Sequence, residues 1–129
     1  MSGWQLLRTL AVTLCAIGGA LTATSVAASW LGRSPMTRGL PADPVAADAA
    51  LSARILARFP LGSEAAPMVE ALEGERFIWV FDPRDAGRYH LRRDESDWLC
   101  RREAHLWWTT TSAGDIGSLR AAYRTSARC

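Results

Sequence analysis

The sequence contains no lysine and no asparagine, and all 15 of its basic residues are arginine. This bias, together with abundant alanine, is typical of a GC-rich genome and points to no particular function. The net charge is only +2, and acidic residues are interspersed among the arginines. Nucleic-acid-binding domains usually carry a clustered basic face or stripe. We therefore expect no nucleic-acid partner.

Motifs for phosphate, dinucleotide or metal chemistry are also missing. The sequence has neither a GxxxxGK[ST] loop nor a GxGxxG turn, and no nucleophile-elbow pattern. The two histidines, His90 and His105, have no companion ligand at metal-binding spacing. Three acids, Asp94, Glu95 and Asp97, cluster at a predicted turn, where we expect them to face solvent rather than to work as an acid–base pair. The sequence thus predicts no catalytic residue, no metal and no cofactor, and a protein that is not an enzyme.

Charge is absent from residues 9–31, a run long enough for one helical crossing of a bilayer. Trp4 and Trp30 stand at its two ends, where aromatic side chains meet lipid headgroups. The same stretch also fits a cleaved signal peptide, with Arg8 in a short positive region and small residues up to a cleavage point near Ala28. We favour the anchor, and both interpretations export the remainder of the chain.

Cysteine is scarce, with only three in 129 residues. Leu14 precedes Cys15 where a lipobox has a small residue, so we do not expect lipidation. The other two, Cys100 and Cys129, form an even pair in a small exported domain, which predicts a disulfide. The alternative is a metal-binding pair or a reactive thiol at Cys100, whose pKa the neighbouring Arg101 and Arg102 would lower. The lack of a CxxC spacing favours the disulfide.

The rest of the chain divides into a linker and one domain. Residues 1–31 form the anchor or signal segment, the glycine- and proline-rich stretch 32–44 predicts a linker, and 45–129 form the exported domain. Asp43 and Pro44 predict the cap and first residue of a helix that Pro60 ends. Its spacing predicts an apolar face made of the following residues: Val45, Ala49, Ser52, Ile55, Leu56 and Phe59.

A second, shorter helix follows, and then the hydrophobic period changes. Ser63 is the predicted cap of that helix and Gly74 its end. Aromatic and branched residues then alternate, which predicts strands at 77–81, 88–95, 102–111 and 116–124, with a bulge at Gly117. The expected class is α+β: an N-terminal transmembrane or signal helix, then two helices packed on a four-stranded antiparallel meander sheet.

Tryptophan is concentrated in the predicted sheet. Trp107 and Trp108 are adjacent, so in a strand their rings point to opposite faces. Two short helices can cover only one face. The sequence therefore predicts a partner-binding face on the other side, drawn from Trp79, His105, Trp107 and Trp108, with cross-strand aromatic packing as the alternative.

The order of elements carries a family resemblance. Residues 59–63 (FPLGS), then Val69, Leu72 and Gly74, followed by an aromatic strand and a meander, resemble BamE/SmpA-type envelope domains over about residues 45–125. That family consists of small helix–helix–sheet proteins, usually lipoproteins, on the periplasmic side of bacterial membranes, where they support an outer-membrane assembly machine. The chain departs from it in lacking a lipobox and in its cysteine pair. No functional residue is carried over.

Together these features predict a membrane-anchored envelope protein that acts by protein binding or scaffolding. We expect a single pass through the bacterial inner membrane by residues 9–31, a domain in the periplasm, and an envelope protein as partner. The alternative is a cleaved, secreted soluble protein that binds or inhibits another.

Overall fold

The computed structural model describes residues 33–126 and residue 129. The predicted anchor or signal segment, its cleavage point near Ala28 and Cys15 all lie outside the described residues. Within the described part, no helix is both long and apolar enough to cross a membrane. Residues Ser34–Cys129 form one compact unit.

The first helix, α1, covers Pro44–Arg58 and begins as predicted. The Asp43 carboxylate accepts a hydrogen bond from the Ala46 amide at 2.8 Å, which satisfies one of the unpaired donors of the first turn. Its buried side consists of Ala47, Leu51 and Ile55. The predicted apolar face included Val45, which is exposed. The error arose because apolar residues of this alanine-rich helix occur at helical spacing on more than one side.

The second helix, α2, covers Ala65–Gly74 and buries Met68 and Leu72. The prediction of Ser63 as its cap was wrong. Glu64 occupies that position without a side-chain hydrogen bond, and the Ser63 hydroxyl donates instead to the carbonyl of Pro60 at 2.6 Å.

Four antiparallel strands form one sheet in the order β1-β2-β3-β4. They cover Ile78–Trp79 (β1), Tyr89–Asp94 (β2), Arg102–Thr110 (β3) and Ile116–Thr125 (β4). Thr109 pairs with Ser118 and Thr110 with Ile116, so Gly117 is the extra residue of a bulge, as predicted. Two helices packed on a four-stranded antiparallel meander confirm the α+β class.

The two faces of the sheet differ because side chains alternate along each strand. The helix side carries the core residues Leu91, Ala104, Leu106, Trp108 and Ala121, all buried. The opposite side, called here the open face, carries His90, His105 and Trp107 among others.

One edge of the sheet is closed by α1. Ser52 accepts a hydrogen bond from the Ala121 amide at 3.1 Å, and the Asp48 carboxylate accepts from the Tyr123 amide at 2.8 Å. Outward amides of an edge strand would otherwise invite pairing with another chain. The opposite edge is the two-residue strand β1.

Part of the predicted linker 32–44 packs into the domain. Ser34, Met36 and Thr37 are buried, and the Arg54 guanidinium donates to the carbonyls of Met36 and Arg38. The glycine and proline content predicted a linker, but these hydrogen bonds fix the segment from Ser34 onward to the domain.

The C-terminus is attached through Cys100 and Cys129, which form a disulfide in the structure. Their sequence separation is 29, so the bond closes a loop that contains β3 and β4. The pairing agrees with the prediction from the cysteine count and ties the end of the chain to the loop between β2 and β3.

Candidate functional site

Aromatic rings gather at the free edge of the sheet, on its helix side. Tyr89 and Trp108 are cross-strand partners with ring centroids 5.4 Å apart, and Trp79 lies 5.6 Å from Trp108 and 6.2 Å from Tyr89. Phe81 stacks on Trp79 at 6.4 Å. We call Trp79, Phe81, Tyr89 and the underlying Trp108 the aromatic edge.

The residues of the aromatic edge differ in solvent exposure, from the buried Trp108 to the almost fully exposed Phe81. Trp108 is 1% exposed, whereas Tyr89 is 48% and Phe81 90% exposed. The indole nitrogen of Trp79 donates to Glu73 of α2 at 2.7 Å, which fixes the ring orientation. The cluster is therefore a rigid apolar surface that continues the core outward, with contact area available on Tyr89 and Phe81.

A shallow cleft of about 280 Å³ adjoins the aromatic edge. It is lined by Gly87, Arg88, Tyr89 and Thr110. The cleft combines one aromatic ring with backbone and polar groups and with a guanidinium. It suits a side chain of a bound polypeptide better than a buried small molecule, for which pockets are deeper and more apolar.

A second cluster, the histidine pair, lies on the open face. His90 Nδ1 lies 2.8 Å from the Asp85 carboxylate, and His90 Nε2 lies 3.0 Å from His105 Nδ1. His105 Nε2 faces Glu103 at 3.6 Å. Trp107 stacks on both rings, at 4.6 Å from His90 and 5.4 Å from His105. The result is a carboxylate–His–His–carboxylate chain beneath an indole.

The chemistry of this pair is constrained by its hydrogen bonds. A carboxylate accepts hydrogen bonds, so the contact with Asp85 favours the His90 tautomer with its hydrogen on Nδ1, and the contact between His90 Nε2 and His105 Nδ1 then needs one N–H between the two atoms. Burial, and then the neighbouring His90, lower the pKa of His105. His90 Nε2, the atom a general base would use, is thus occupied by His105.

The residues predicted to share one binding face lie on two. Trp79 and Trp108 belong to the aromatic edge, while His105 and Trp107 lie on the open face. Trp107 packs on the two histidines, and the Arg120 guanidinium lies 5.7 Å from its ring. The pairing register of the strands decides which face each of the four residues occupies, and the sequence alone does not give that register.

Sequence reasoning missed several residues of these clusters. Phe81 and Tyr89 lie in predicted strands but were not predicted to belong to a site, and Asp85 lies between two predicted strands. The signal that could have found Tyr89 was its alternation with Leu91, which puts it on the helix side beside Trp108. Within the described residues, no group of three or more His, Cys, Asp or Glu could hold a metal ion.

No protein-family model, curated protein or solved structure matches this chain. The resemblance to BamE/SmpA-type domains stays a prediction from the sequence.

Proposed function

We propose that this chain is a membrane-anchored bacterial envelope protein that binds another protein through its aromatic edge and performs no catalysis. The inner-membrane anchor is residues 9–31, and the domain lies in the periplasm. Two features support export: the uncharged N-terminal stretch and the Cys100–Cys129 disulfide, since such bonds persist in oxidising compartments.

The observation that carries the binding role is the exposed aromatic surface at an open sheet edge. The Phe81 side chain is 90% exposed, and its ring stacks on Trp79. Holding an exposed ring in one position costs side-chain entropy. Contiguous exposed apolar surface on a small domain is typical of interaction sites. Tyr and Trp are also the residues that most often dominate binding energy at interfaces.

The occupant that fits this edge is an extended segment of a partner protein. The Val80 amide donates to the carbonyl of His90, so the alternation of an antiparallel ladder directs the backbone groups of Trp79 away from β2. A partner strand could pair there and lay alternate side chains on Tyr89 and Phe81. The other edge of the sheet is already capped by α1.

Site-specific photocrosslinking in the native host tests this proposal. A benzoylphenylalanine at position 81 of the full chain should give one dominant protein adduct. The matched control is the same group at Trp98, which is 89% exposed but lies in the loop between β2 and β3. We expect no such adduct from position 98.

The adducted partner peptide, once identified and synthesised, should bind the purified full chain directly. Tyr89→Ala should weaken that binding at least tenfold, the loss expected for a central aromatic contact. Equal adducts from positions 81 and 98, or peptide binding unaffected by Tyr89→Ala, would contradict the proposal.

The intact mass of the native protein distinguishes the anchored form from the secreted alternative. A full-length mass in the membrane fraction supports the anchor. A mass beginning near Ser29 would instead make the protein a soluble binder or inhibitor, and the aromatic edge would then act away from the membrane.

A further inference from the structure

We infer that Cys129 is an entry site for thiol–disulfide exchange. A thiolate from outside the domain attacks Cys129 Sγ and opens the bond to Cys100 while the domain stays folded. This assigns a modification site on the chain, with thiols as the reacting class. The inference depends neither on the membrane anchor nor on the aromatic edge.

The two residues of the disulfide differ in their access to solvent. Cys100 is buried, with 8% exposure, whereas Cys129 is exposed. The rate of exchange depends on which sulfur is attacked and on how freely a thiolate reaches it, and exposed disulfides are the ones that take part in exchange and regulation. The folded domain therefore offers Cys129 to a thiolate and shields Cys100.

The exchange moves electrons only between sulfur atoms. The incoming thiolate forms a bond to Cys129 Sγ, the bond to Cys100 breaks, and its electron pair goes to Cys100 Sγ, which takes a proton from water. A second thiolate then attacks the incoming sulfur, departs with it as an oxidised disulfide and leaves Cys129 as a thiol. A monothiol thus forms an adduct first, and a dithiol completes the reduction by itself.

The loop that carries Cys100 is held by hydrogen bonds as well as by the disulfide. The Asp97 amide donates to the Cys100 carbonyl at 2.9 Å, and the Asp97 carboxylate accepts from the amides of Leu99 and Cys100 at 2.9 and 2.7 Å. Arg102 donates to the same carboxylate at 2.9 Å. The hydrogen bond from Arg102, and then those from the two amides, lower the pKa of Asp97 to about 2, so the carboxylate stays ionised at the pH where thiolates form. Cys100 therefore keeps its place when the disulfide opens.

The chain on the Cys129 side is also attached without the disulfide. The Ser126 amide donates to the Arg101 carbonyl at 2.8 Å, directly after the end of β4. The Cys129 amide in turn donates to the Ser126 carbonyl at 3.1 Å. Because these bonds keep the two sulfur atoms near each other, Cys100 can attack the mixed disulfide and close the original bond again. The exchange is thus reversible.

A disulfide that only supports the fold would behave differently. Its sulfur atoms would meet a thiolate only after the domain unfolds, so its rate of reduction would rise with urea in proportion to the unfolded population. Direct attack at Cys129 needs no unfolding. We therefore expect a rate that is independent of urea below the unfolding transition.

Reduced glutathione, added in excess to the purified full chain in mild detergent, tests the inference. Cys15 is replaced by serine in every sample, so that only the bonded pair reacts. Iodoacetamide stops the reaction and caps the released thiol before it can close the bond again, and peptide mapping then locates the glutathione. We expect glutathione on Cys129, the cap on Cys100, and the same rate at each urea concentration below the transition.

Two single variants are matched controls for access. Cys100→Ser leaves Cys129 as a free thiol, and Cys129→Ser leaves Cys100. Iodoacetamide should label Cys129 at least about tenfold faster than Cys100 in the folded domain. The two rates should become similar in urea above the transition, because the difference comes from folding.

The outcomes separate the exchange site from a purely structural bond. Glutathione on Cys100, no exchange below the unfolding transition, or a rate that rises with the slope of unfolding would each overturn the inference. An adduct confined to Cys129, formed at a urea-independent rate, supports it even if the single variants do not fold.

Discussion

Replacing Glu95 with alanine should destabilise the domain strongly, although this residue lies next to a surface loop. Its side chain is 1% exposed, and its two oxygens accept four hydrogen bonds. Oε1 accepts from Arg93 Nε at 2.7 Å, from the Ser34 amide at 3.1 Å and from the Thr37 hydroxyl at 2.5 Å. Oε2 accepts from the Tyr123 hydroxyl at 3.1 Å.

The magnitude follows from what the substitution leaves behind. Removing one partner of a buried ion pair costs about 3–5 kcal/mol, because the other charge stays buried without it. Arg93 keeps its hydrogen bond to the Glu75 carbonyl, which moderates the loss. The Ser34 amide and the Thr37 hydroxyl lose a charged acceptor, and the turn segment 34–40 would become accessible to water more easily. We expect Glu95→Ala to lower the free energy of unfolding by about 4 kcal/mol.

Urea unfolding of the full chain in mild detergent, with the disulfide intact, measures this loss. Two variants separate charge from shape. Glu95→Gln keeps the size and most acceptor geometry, so it should cost about 1–2 kcal/mol, and Tyr123→Phe, which removes one donor, about 1 kcal/mol. A loss below about 1 kcal/mol for Glu95→Ala at an unchanged slope would refute the buried network as a source of stability.

Two further predictions concern pH and the disulfide. Burial and the neighbouring His90 lower the pKa of His105 in the folded domain below its usual 6.5. The unfolded chain therefore binds a proton at this residue more readily than the folded domain does. The free energy of unfolding should then be highest above pH 6.5 and fall as the pH drops from 6.5 through the lower pKa of the folded domain. Thermal unfolding between about pH 7.5 and 5.5 should show this slope, and His105→Gln should flatten it; an unchanged slope would refute the assignment. The facing charges, Asp85, Glu103 and Arg92, stay in place. Joint replacement of Cys100 and Cys129 by serine should cost about 3–4 kcal/mol in urea, and a loss near zero would mean that the bond constrains little.

The sheet was predictable because its signals are local. Alternating aromatic and branched residues predicted three of the strands within two residues of their ends, and Gly117 marked the bulge. Strand β1 came out shorter than the predicted 77–81, since only Ile78 and Trp79 pair with β2. The cap at Asp43 was equally visible, because capping depends on a residue and its next three neighbours.

The division of the tryptophans between faces was not predictable. Trp107 and Trp108 had to point to opposite sides, but which side faces the helices depends on packing between distant segments. The same holds for the aromatic edge, since Tyr89 meets Trp108 only through the β2–β3 register. A shift of one residue would have exchanged the histidine pair and the core.

Glu95 was misassigned for a related reason. It was expected to face solvent with Asp94 and Asp97, which are indeed exposed, but Glu95 has buried partners up to 61 residues away in sequence. No local pattern encodes that contact. The partners lie in the stretch interpreted as a linker, so one missed contact explains both errors.

The hydrogen bond between Ser34 and Glu95 also lies far from the proposed binding site along the sheet. Ser34 and Glu95 meet at one end of the sheet, and the disulfide fixes Cys129 to Cys100 in the loop at that end. The aromatic edge lies toward the other end, where Tyr89 pairs with Trp108. Strand β3 spans nine residues, about 30 Å. The contacts of Glu95 and the aromatic edge therefore lie toward opposite ends of the sheet, so a partner strand that pairs with β1 near Tyr89 would leave the attachment of Ser34 intact.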